Sequence, residues 1–73
     1  MSEKAAALCA EGLELMTQHR WEEAEEKMEL ALEEDPKSAE LWYNLGKCQF
    51  HQDKVRLAIS ALTSAVEIGR AHV

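Results

Sequence analysis

Ala39-Glu40-Leu41-Trp42-Tyr43-Asn44-Leu45-Gly46 is the stretch whose reading decides the fold. On a helix, Trp42, Leu45, Gly46 and Gln49 recur at i, i+3, i+4 and i+7, so they share one face. That face runs from a large aromatic through Leu45 to a residue with no side chain. Glycine inside a helix costs about 1 kcal/mol relative to alanine, so its presence predicts a second backbone passing close by. Ala58 offers the matching small surface in the next apolar-periodic stretch. The spacing therefore predicts two helices packed as a hairpin, with Gly46 against Ala58.

Working outward, the chain divides into four helical segments. The third runs from about Ser38 to His51. The fourth runs from about Lys54 to Ile68, with Gly69 placed to end it in a left-handed cap. Upstream, Ser2 caps a first helix over about Glu3 to Gln18, which carries one apolar face of Leu8, Gly12 and Leu15 and a second of Cys9, Leu13 and Met16. A helix apolar on two sides expects two neighbours. The turn after it, His19-Arg20, has no glycine, and neither does its later equivalent, Asp53-Lys54. His and Asp tolerate positive φ better than most residues, so both turns are expected to be tight. The second helix spans about Trp21 to Glu34. Its buried stripe is Trp21, Ala24, Met28, Ala31 and Leu32, and its solvent face carries Glu22, Glu23, Glu25, Glu26, Glu29, Glu33 and Glu34. Pro36 stops it, because proline lacks the amide and restricts the residue before it.

Sliding the chain by about 34 residues aligns the two halves. Leu8 falls on Trp42, Gly12 on Gly46, Ala24 on Ala58, Met28 on Leu62, Ala31 on Ala65 and Leu32 on Val66, whereas Pro36 falls on Arg70. Trp-x-x-Leu-Gly followed by this alanine resembles the tetratricopeptide repeat. The resemblance implies an all-α fold: one domain over about 3–73, built as two stacked helix-turn-helix repeats, about 5–38 and 39–72, of an α-solenoid. It places Gly12 against Ala24 and lets Ala31 admit the third helix.

The same resemblance implies function. In this family the first helix of each repeat lines a concave groove that binds protein. Carried over position by position, the groove here is Cys9, Leu13, Met16 and Thr17 of the first repeat, with Tyr43, Lys47, Phe50 and His51 of the second; Ala6 and Glu40 extend it. Spacing alone already places Tyr43, Lys47 and Phe50 or His51 on one face. Some family members grip a terminal carboxylate with Lys and Asn. Asn44 matches one such place, but Cys9 and Leu13 stand where the others belong, so an amphipathic helix or apolar segment suits this groove better. The expectation is an adaptor-like or chaperone-like interaction module for a peptide or helical segment. The alternative is a self-associating structural unit, or part of a longer solenoid with no ligand of its own. The fourth helix motivates that alternative. It shows Leu57, Ala61, Leu62, Ala65 and Val66 where a terminal helix is normally polar, so a homo-oligomer or a partner's cap is expected there.

Other chemistries find little support. The net charge of −6 argues against nucleic acid. It divides unevenly: Met1 to Pro36 has three basic against eleven acidic residues, −8, and Lys37 to Val73 has five against three, +2. No run approaches the ~20 apolar residues of a membrane span, and Ala5 to Ala10 is too short, before Glu11, for a secretory leader. Cys9 and Cys48 are expected to be reduced, in a cytoplasmic setting. Cys48 and His51 are at i and i+3, but two ligands do not make a zinc site. No nucleophile–base constellation or phosphate loop stands out, so neither an enzyme nor a cofactor is expected.

Overall fold

In a computed structural model, which describes residues 1–71, the chain folds into four helices and no strand among those residues. They are α1 (Glu3–Thr17), α2 (Trp21–Glu34), α3 (Ala39–His51) and α4 (Val55–Ala71). Each packs on the next in order. α1 also touches α3 lightly, and among the described residues α4 packs on α3 alone. The result is two stacked hairpins with extents of 33 × 29 × 17 Å.

Local chemistry accounts for the boundaries. Ser2 Oγ accepts from the Ala5 amide at 3.1 Å, and Ser38 Oγ accepts from the Leu41 amide at 3.3 Å, so a serine satisfies a first-turn amide in both α1 and α3. The two inner turns are alike. His19 and Asp53 have φ of 59° and 63°. The amide of Arg20 reaches the Leu15 carbonyl at 2.9 Å, and that of Lys54 reaches the Gln49 carbonyl at 2.9 Å, the six-to-one bond of a left-handed helix stop. Between the repeats, the Trp42 indole donates from Nε1 to the Pro36 carbonyl at 2.8 Å and ties α3 to the loop it leaves.

The core comprises Met28, Leu41 and Cys48, all fully buried, with Ala5, Ala24, Ala31, Leu32, Leu45 and Ala61 around them. Gly46 has the role expected of it. A Cβ there would lie 2.8 Å from Leu62 Cγ and 3.3 Å from the Ala58 carbonyl oxygen. Gly12 differs from expectation: the nearest atoms belong to Met28 and Lys27 rather than Ala24, with Met28 Cε at 2.6 Å from a Cβ position. An unbranched thioether fills the space between α1 and α2 that a shorter side chain would leave open.

Two other expectations are corrected. α4 runs through Gly69 to Ala71 with no left-handed glycine, because the position that holds Pro36 in the first repeat holds Arg70 here, and arginine continues a helix. Glu25 does not belong to the solvent face of α2; it is 7% exposed and hydrogen-bonded across the repeat junction.

Candidate functional site

The proposed groove residues divide into surface and core. Tyr43, Lys47 and Phe50 project from successive turns of α3 and, with His51 and Leu62, line a shallow pocket. Leu13 and Thr17 are also exposed, and the Thr17 hydroxyl donates to the Glu14 carbonyl at 2.6 Å. Cys9 and Met16 are corrections: both are buried in the core cluster. Over Cys9 lies Asn44, also buried, whose side-chain amide donates to Cys9 Sγ at 3.9 Å. Asn44 is therefore buried against Cys9 rather than presented on the surface. His51 is exposed but engaged. Its ring stacks on Trp21 at 4.0 Å with a 7° interplanar angle, and Phe50 meets it edge-on at 5.8 Å.

The residues proposed for the open end divide similarly. Leu57 and Val66 are more than half exposed, and Leu62 and Ala65 are half-buried. Ala61 is 3% exposed and belongs to the core, so it does not lie on the outer face. It follows Ala58 by three residues, on the stripe that α3 covers. Val55 and Ile59, which the sequence pattern did not single out at this end, are more than half exposed as well.

Sequence reasoning also missed the junction carboxylate. Glu25 Oε2 accepts from Gln49 Nε2 at 3.1 Å. Its Oε1 accepts from Gln52 Nε2 at 2.9 Å and from Lys54 Nζ at 2.8 Å. Burial alone would raise the Glu25 pKa, but the bonds from Lys54, Gln52 and Gln49 outweigh it and hold the carboxyl below its ordinary value. One carboxylate of α2 thus fastens the end of α3 and the turn into α4. Burial pushes the Cys48 thiol up to about 11, and burial, with Glu40 nearby, also raises Cys9; neither is an activated nucleophile. Among the described residues no three His, Cys, Asp or Glu side chains converge as a metal site, and no helix is long and apolar enough to cross a membrane.

Stacked helical hairpins at one sequence period, with small residues where backbones meet, define the class of α-solenoid repeat proteins. Within that class, the tetratricopeptide repeat family matches residues 9–72, and the chain belongs to it. Members of that family are, as a rule, protein-interaction modules. A comparison with curated proteins finds no match.

Proposed function

We propose that the chain binds an amphipathic helical or apolar segment of a partner protein in its concave groove, as an adaptor does. The surface is Leu13 and Thr17 of α1 with Tyr43, Lys47, Phe50 and His51 of α3. The observation that supports it is the pairing of Tyr43 and Phe50. Two aromatic side chains, each more than half exposed, flank Lys47 beside the apolar Leu62. Exposed aromatics at helical spacing are costly in water and are the residue types on which interfaces depend. A cytoplasmic setting suits the two free, buried thiols.

The test is a pull-down with the wild type and a Leu13→Gln/Tyr43→Gln variant, both checked for helicity. Loss of specific capture with unchanged helicity supports the groove. A partner retained equally by both would overturn it. The alternative of self-association draws on the exposed Leu57 and Val66 of α4. Sedimentation over a wide concentration range decides that, since a monomer throughout removes it.

A further inference from the structure

We draw no further inference here: the strongest candidate, the exposed apolar face that α3 and α4 present with Tyr43, Phe50, Ile59 and Val66, carries nothing, because nothing among the described residues shows what covers it.

Discussion

Replacing Glu25 with alanine removes the acceptor of three side chains at once, and the cost can be apportioned. Gln49 is 5% exposed, and its Oε1 already has no partner. Without Glu25 its amide nitrogen loses its partner too, and stripping a buried polar group costs about 1–3 kcal/mol. Gln52 loses less, because its Nε2 also donates to the Cys48 carbonyl at 3.1 Å. The Lys54 ammonium returns to water, so its loss adds little. The missing methylenes add roughly 0.8 kcal/mol for each that was buried. The expected destabilisation is about 2–3 kcal/mol, which in a domain this small lowers Tm by ~10–20 °C. Glu25→Gln keeps the shape without the charge and should fall between wild type and alanine. The acid dependence has a definite sign. The carboxyl pKa is lowered on folding, so its contribution is present above the unfolded value of 4.5 and is lost as pH falls through the folded value beneath it. Denaturant melts of wild type and Glu25→Gln should therefore differ by a constant amount from pH 7 to pH 5 and converge in stronger acid. A Glu25→Ala loss under about 0.5 kcal/mol, or a gap that widens with acid, would refute the reasoning, because either means the bonds contribute nothing in solution.

The glycines should respond unequally to alanine. Gly46→Ala places a methyl against Leu62 and the Ala58 carbonyl, so α4 must shift, at about 1–3 kcal/mol before a helix-propensity gain of roughly 1 kcal/mol. Gly12→Ala meets the far end of the unbranched Met28 side chain, which can change rotamer, and should melt within a few degrees of wild type; equal losses at both sites would contradict the close approach. Gly69→Ala meets nothing within 4 Å and should raise Tm modestly, since it replaces a helical glycine with a better helix former. Cys9 and Cys48 should react slowly with a thiol-disulfide reagent at pH 8 and rapidly in denaturant; fast native reaction at both would contradict their burial.

Features that depend on neighbours in sequence were legible without coordinates. The Ser2 cap, the proline stop and the positive φ at His19 and Asp53 each follow from a few adjacent residues. The shared surface of α3 was legible in part. Helical spacing puts Tyr43, Lys47 and Phe50 on one face, and they do line one pocket. It cannot say that Cys9 and Met16, at the same places one repeat earlier, are covered. Ala61 was misplaced for a related reason: α4 is apolar on most sides, so its pattern does not distinguish the side toward α3 from the side toward solvent.

Glu25 shows where a sequence pattern loses information. It sits among seven glutamates of α2, and nothing in its immediate neighbourhood separates it from Glu22 or Glu26, which are exposed. Burial came from Gln49 and Lys54, more than twenty residues away, and the partners are what permit a carboxylate to be buried at all. The repeat does carry one clue. One period later the same position is Ile59, and a site that holds glutamate in one repeat and isoleucine in the next is not simply a solvent site. It is a junction site, where each residue is matched to the helix that lies on it. Glu25 has such a helix in α3, with Gln49 at the matching place. Ile59 has none among the described residues and stays exposed.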